Sequence, residues 1–384
     1  MNTLEEYNIT ATDWRRVLQR NQRNTRFVIF LFVFIYMSIG LLIDTYFNVS
    51  ILPHAQSFIP RETYEQYYAY SGSHANYSYS YAPVSSAYPS ASWEQIRSVF
   101  LNLITFKTLP IATLIMMGIA IFSLLVAHFF HRQLTMMGTK YREVTASESG
   151  LERQLYNVVE EMKIAASLKF IPKVYIIEAN YMNAFASGLG ESTALVAITR
   201  GLLEKLDRDE LQAVMAHELS HIRHNDIRLT MTVAILSNLM LIAIDLVFRN
   251  IIYSRNQGKD NGLKIIIIIM RFALPILTLL LMMYLSRTRE LMADSGCVEL
   301  MRSNKPLARA LLKIDADHKA NVDDYKSAYN NTPHEEVRQA SYLYDPGEAG
   351  IATIFSLNTL FSTHPSLATR LEALGISKRK ETGE

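Results

Sequence analysis

Apolar residues along the 384-residue chain are gathered into four runs rather than spread evenly. Phe27 to Ile43 carries no charge between Arg26 and Asp44, and Thr108 to Phe130 holds only the titratable His128. Leu229 to Phe248 is broken by Asp245 alone, and Ile265 to Leu285 is interrupted by Arg271 and Pro275. A helix crossing about 30 Å of hydrocarbon needs roughly 20 apolar residues. The first two runs meet that requirement most comfortably. Transmembrane helices are expected at 27–43 and 108–130, with a third and fourth forming a hydrophobic hairpin over 229–285. Buried helices of a soluble core are the alternative reading.

The segments between the runs orient them. Residues 1–26 form a polar tail with Arg15, Arg16, Arg20, Arg23 and Arg26, and no small-residue cleavage site follows the first run, so it does not read as a signal peptide. Positive charge favours the cytoplasmic side, and residues 131–228 and 286–384 are also rich in Lys and Arg. All three segments are therefore expected in the cytoplasm. One loop disagrees: between runs three and four stand Arg249, Arg255, Lys259 and Lys264, so the hairpin either crosses fully or enters the membrane only part-way. Asp245 and Arg271 fall at similar depth in its two arms and are expected to form an ion pair, with a proton relay as the alternative. Residues 44–107 read as an extracytoplasmic loop, rich in Tyr and Ser from about 48 to 98, with few aliphatics for a core. The cytoplasmic stretches would form one globular domain split by the hairpin.

Composition removes other classes. With 49% hydrophobic residues the chain is not disordered as a whole, and 38 basic against 36 acidic residues do not make a nucleic-acid protein. A single cysteine, Cys297, excludes an intrachain disulfide framework and a Cys-based zinc cluster. No G-x-x-x-x-G-K-[ST] loop is present, so no ATP-driven step is expected.

His217-Glu-Leu-Ser-His221 is an H-E-x-x-H motif. Asp207 and Glu210 read as a capping box, and Leu211, Val214, Met215 and Ile222 form an apolar stripe at helical spacing. On such a helix His217 and His221 lie one turn apart, about 6 Å along the axis, and both can reach one zinc ion. Glu218 is offset from them by about 100° and suits a base acting on metal-bound water. A pair of ordinary helix histidines is the bland alternative. Catalytic zinc takes three protein ligands and keeps one open position. His224 is too far along the helix to share the ion. Glu290 is a candidate third ligand, with Asp294 one turn later able to orient an imidazole. A solvated acid paired with the flanking Arg287 and Arg289 is the bland alternative. A hairpin leaving after His221 and returning before Glu290 would let the three converge near the membrane face.

From about Val174 to Gly375 the chain resembles the HtpX family of membrane-bound zinc metalloproteases, related to the type I CAAX prenyl endopeptidases. The resemblance is carried by Asn183-Ala-Phe-Ala, by His217-Glu-Leu-Ser-His with Asn225-Asp226, by Ser286-Arg-Thr-Arg-Glu-Leu-Met-Ala-Asp294, and by Phe361-Ser-Thr-His-Pro-Ser with Arg370. The first two apolar runs also come in the same order. The resemblance implies a membrane protein, mostly α with a small β-sheet, whose cytoplasmic domain is a gluzincin-like metalloprotease. It implies Glu290 as the third ligand of one Zn2+ per chain, Asp294 behind the ligands, and His364 and Arg370 near the scissile carbonyl. Asn183, Ala184, Phe185 and Ala186 would form the edge strand along which a polypeptide substrate, expected to be a membrane protein, lies. The implied setting is quality control at the bacterial inner membrane. A prenyl-protein endopeptidase and a non-enzymatic scaffold with a structural zinc are the alternatives. The Tyr-rich loop and a polar, loop-like stretch from about His318 to Gly350 depart from the family pattern.

Overall fold

The computed structural model describes residue 4 and residues 7–9, 14–51, 93–136, 140–188, 190–253, 262–331, 341–351 and 364–378. Its elements begin with β1 (Tyr7–Ile9), α1 (Trp14–Tyr46), α2 (Trp93–Ile104) and α3 (Ile111–Met136). There follow β2 (Tyr141–Val144), α4 (Gly150–Ala165), β3 (Lys173–Ile177), β4 (Ala184–Ser187), β5 (Leu195–Thr199) and α5 (Arg200–Lys205). The remainder comprises α6 (Arg208–Arg223), α7 (Asp226–Tyr253), α8 (Gly262–Met301), α9 (Lys305–Ala320), α10 (Val322–Asn331), α11 (Leu367–Ala373) and β6 (Ile376–Lys378). These elements gather into two compact units, Met1–Leu31 with Phe122–Ile235 and Thr278–Glu384, and Phe32–Ile121 with Leu236–Leu277.

In the first unit the sheet order is β2-β3-β5-β4, with β3 and β5 parallel and both outer pairs antiparallel. Successive side chains on a strand face opposite ways, and here both faces are covered. Val174, Ile176, Ala184, Ala186, Val196 and Ile198 join a core with Leu211, Val214 and Met215 of α6. Tyr175, Ile177, Phe185, Leu195 and Ala197 pack instead against Tyr325, Tyr329 and Tyr342. That second layer explains a helix the sequence reading treated as loop. Residues 322–331 are polar, yet Tyr325 and Tyr329, one turn apart, give α10 a buried face. Glu335 and Glu336 of the same stretch lie outside the described residues.

Among the described residues the second unit holds α2 and parts of α1, α3, α7 and α8. Asp44, which ends the first apolar run, is buried and caps α3, accepting hydrogen bonds from the Ala112 and Thr113 amides at 2.7 and 2.9 Å and from the Thr113 hydroxyl at 2.7 Å. The helices touch closely there: a Cβ on Gly40 would come within 2.6 Å of Thr113 Oγ1. Asp245 meets Arg271 at 2.7 Å, the pairing expected of the two arms, and Arg249 adds a second contact at 2.7 Å.

Among the described residues three helical stretches are long and apolar enough to cross a membrane: Leu18–Val49, Arg228–Ile251 and Leu263–Met301. The second run lies on α3, where the described residues give an apolar stretch at Ile111–Val126. At most 39% of the most apolar part of any of the three is buried inside the protein. Phe30, Leu246, Phe272 and Ile276 are each more than 60% exposed, as lipid-facing side chains are. The chain is a membrane protein. Two boundaries differ from expectation. Helix α1 begins at Trp14, inside the supposed tail, because residues 14–26 hold Arg, Gln and Leu and no Gly or Pro. The expected loop over 44–107 is helical at both ends, through Ile51 and again over α2. Its Tyr-rich middle lies outside the described residues, as do Arg255 and Lys259.

Candidate metal centre

Helix α6 starts as its sequence specifies. The Asp207 carboxylate accepts from the Glu210 amide at 2.8 Å, and the Asp207 amide donates to the Glu210 side chain at 3.0 Å. The helix is buried through the motif itself, from Ala213 to Ile222. It ends where Asn225 turns to φ 55°, a left-handed conformation that asparagine tolerates better than most residues. Chain direction changes there and α7 begins at Asp226.

Opposite α6 lies α8, which runs unbroken from Gly262 to Met301, so Glu290 stands on the continuation of the helix carrying the fourth apolar run. The two helices approach at a glycine. A Cβ on Gly296 would fall 2.0 Å from Ser220 Oγ and 2.9 Å from Ser220 Cβ. No larger residue fits without moving α8 away from the histidines.

That approach brings three ligand atoms together. His217 Nε2 and His221 Nε2 are 3.2 Å apart. Glu290 Oε2 is 3.5 Å from the first, and Glu290 Oε1 is 3.5 Å from the second. An ion bound tetrahedrally at about 2 Å sets its ligand atoms roughly 3.3 Å apart. The two imidazoles and the carboxylate therefore stand at spacings a metal ion can bridge, and Glu290 Oε2 has no hydrogen-bond partner among the described residues. His217, His221 and Glu290 can hold a metal ion.

Each imidazole is held from behind. His221 Nδ1 is 2.9 Å from Asp226 Oδ2. His217 Nδ1 is 2.9 Å from Asp294 Oδ1, although bent away from a linear hydrogen bond. Both contacts turn Nε2 toward the cluster, the arrangement that fixes a ligating tautomer. Asp294 is in turn gripped by Arg370, whose Nε and Nη2 donate to its two oxygens at 2.9 and 2.7 Å. Burial opposes a charge on His217, but the carboxylates of Asp294 and Glu290 beside it outweigh that and hold its pKa up at about 9. The cluster draws positive charge, whether a proton or a metal cation.

Glu218 differs from every neighbouring acid. It is 1% exposed, and neither carboxylate oxygen has a hydrogen-bond partner among the described residues. Burial raises its pKa. His364 is also buried, with Nδ1 3.9 Å from Glu290 Oε2. Arg370, expected near a scissile carbonyl, donates through its guanidinium to Asp294 and to the Leu343 carbonyl.

Asn183 to Ala186 lie at the sheet edge, all buried. Asn183 is pinned by its side-chain amide to the Tyr344 carbonyl at 2.9 Å, and the Ala184 carbonyl accepts from the Leu343 amide at 2.8 Å. By strand alternation Ala186 turns its amide and carbonyl the same way as Ala184. Among the described residues no backbone partner meets Ala186 on that side. Two contributors had been missed. Asp226 was read only as part of a motif, though its position five residues beyond His221 is the signal that finds it. Gly296 has no sequence signal apart from being a glycine in a helix.

Comparison with known proteins agrees with this geometry. Residues 149–377, well over half of the chain, match the family described as peptidase family M48. A protease HtpX homologue of Helicobacter acinonychis is 44% identical over 275 residues, spanning 71% of this chain and 83% of that protein. Another, of Streptococcus uberis, is 34% identical over 69% of this chain and 84% of its own length. A third, of Bacteroides fragilis, is 30% identical over 65% of this chain and 76% of its own length. Among solved structures, Ste24p of S. mikatae superposes with a TM-score of 0.43 at 19% identity, over 73% of this chain and 65% of that one, a likeness too loose to bear on the fold.

Proposed function

The chain belongs to peptidase family M48, in its HtpX branch, and on that premise we propose how this membrane metalloendopeptidase works and where. The proposed metal is zinc, one per chain, held by His217, His221 and Glu290. The observation that carries this reading is two imidazole nitrogens 3.2 Å apart, each 3.5 Å from one oxygen of the Glu290 carboxylate, beside Glu218, an acid with no hydrogen-bond partner among the described residues. A purely structural ion would be closed by a fourth protein ligand. Three ligands with a free carboxylate alongside favour catalysis.

Zinc in that site would supply Lewis acidity and lower the pKa of a bound water. Glu218 takes the proton of the attacking water and returns it to the leaving amine; burial already raises this carboxylate's affinity for a proton. His364, beside Glu290, is placed to donate to the developing oxyanion. Arg370 serves as a positioning residue, acting through Asp294 to keep His217 aimed. Substrate adds as an extended strand at Asn183–Ala186, hydrogen-bonding Ala186 beyond the point where Leu343 covers Ala184. Recognition through the main chain suits a protease with weak sequence preference.

The positive residues flanking the apolar runs favour an active site on the cytoplasmic face of a bacterial inner membrane crossed several times by the chain. Damaged or misfolded membrane proteins are the proposed substrates. The test is elemental analysis of detergent-purified protein together with casein cleavage with and without chelator. One zinc per chain and chelator-sensitive cleavage are expected; cleavage that persists in metal-free protein would refute the mechanism.

A further inference from the structure

In the first unit, a cavity of about 400 Å³ opens between α1, the corner where α6 passes into α7, and Met292 of α8. Its lining includes the polar Gln22, Arg26, Asn225 and Arg228 together with the apolar Ile29 and Leu229. In sequence the change is abrupt in both helices: Arg26 is followed by Phe27, which opens the first apolar run, and Arg228 is followed by Leu229, which opens the third. Two separate helices thus pass from polar to apolar beside the same cavity, with an arginine at each crossing point.

A polar–apolar boundary on membrane helices is where phospholipid headgroups lie. Both arginines are exposed, and neither has an ion-pair partner among the described residues. Asp226 also lines the cavity, but its charge is already engaged: one oxygen bonds His221 at 2.9 Å and the other lies 3.7 Å from buried Arg289. The cavity therefore offers two guanidiniums to a phosphate, and apolar side chains to the glycerol and the first methylenes of an acyl chain. Free phosphate would use the guanidiniums and leave the apolar side chains uncovered.

We propose that this cavity seats the headgroup of one anionic phospholipid, with Arg26 and Arg228 on its phosphate and Ile29 and Leu229 against its acyl chains. Basic pockets at membrane-helix ends bind anionic headgroups by the same combination. None of the metal ligands lines the site, which shares with them only the Asp226 behind His221, and it takes no part in hydrolysis.

The full chain in detergent is exposed to phosphatidylglycerol, to phosphatidylcholine of the same chain length, and to inorganic phosphate, and retained lipid is counted by native mass spectrometry beside the thermal midpoint. One phosphatidylglycerol per chain is expected at concentrations where phosphatidylcholine is not held, with a rise in midpoint that phosphate does not reproduce. The double variant R26Q/R228Q should weaken retention by about tenfold or more, each single variant by part of that, so a double variant that fails to fold leaves the test intact. The variant R20Q/R23Q removes the same charge from α1 without touching the cavity, and should bind as wild type does. Equal retention of phosphatidylcholine would overturn the proposal, as would an equal loss in R20Q/R23Q or an equal shift with phosphate alone.

Discussion

Acids meet bases in two places on the helices that make up the hairpin, and the two places behave differently. In the second unit Asp245 is satisfied by Arg271 and Arg249, both at 2.7 Å, and the group remains partly exposed. In the first, Asp226, Asp294 and Glu290 surround His217 and His221 in a setting closed to solvent, and Glu290 Oε2 and both oxygens of Glu218 lack partners. The first arrangement is complete as it stands. The second is complete only with a cation. Buried polar groups left unsatisfied are costly, so an arrangement of this kind persists where a bound ion offsets the cost. Charge near an apolar helix marks structure when its partners balance it, and chemistry when it leaves buried ligand atoms without partners at metal-binding spacing.

If that distinction is sound, the largest effect comes from Glu290→Ala. Two imidazoles remain, and zinc content measured on the purified variant should fall to a small fraction of one per chain, with cleavage lost entirely. Wild-type zinc content in this variant would move the third ligand elsewhere. Glu218→Gln comes next and separates holding the ion from using it. The amide keeps the size of the side chain but cannot accept the water's proton. Metal content should match wild type while casein turnover falls by about 10²–10⁴-fold, the usual worth of a positioned base. Turnover at the wild-type rate would remove Glu218 from the mechanism.

Much of this centre was legible in the chain itself. The capping box at Asp207 and Glu210 fixed where α6 starts, and hence which residues of the motif share a face. The apolar hairpin between His221 and Glu290 made their meeting a matter of topology. What stayed hidden depended on distances across the fold. Arg370 and Asp294 are 76 residues apart, and nothing local says that the guanidinium turns toward that carboxylate. Gly296 matters through the closeness of Ser220, a tertiary contact. Helix α10 was missed because its burial rests on two tyrosines meeting a sheet face that no local pattern announces.

Arg370→Met tests the support one layer out. It leaves every ligand in place and removes both hydrogen bonds that steady Asp294, so the expected loss is about 10–100-fold in zinc affinity, the usual cost of such outer partners. Competition with a chelator of known affinity measures it. Glu218 is untouched, so at saturating zinc the turnover of this variant should recover most of the wild-type value. Failure to recover would place Arg370 on the reacting carbonyl after all.

The smallest effect is expected at the other meeting place. Asp245→Asn leaves Arg249 and Arg271 without their shared acid, but both are more than a third exposed and can turn toward water or lipid phosphates. The thermal midpoint in detergent should drop by no more than a few degrees, and zinc content and casein cleavage should stay at wild-type values. A proton relay through Asp245 would behave otherwise, because an asparagine cannot carry the proton. Loss of turnover in a variant that retains its zinc would therefore make the membrane pair part of the chemistry and erase the contrast between the two places.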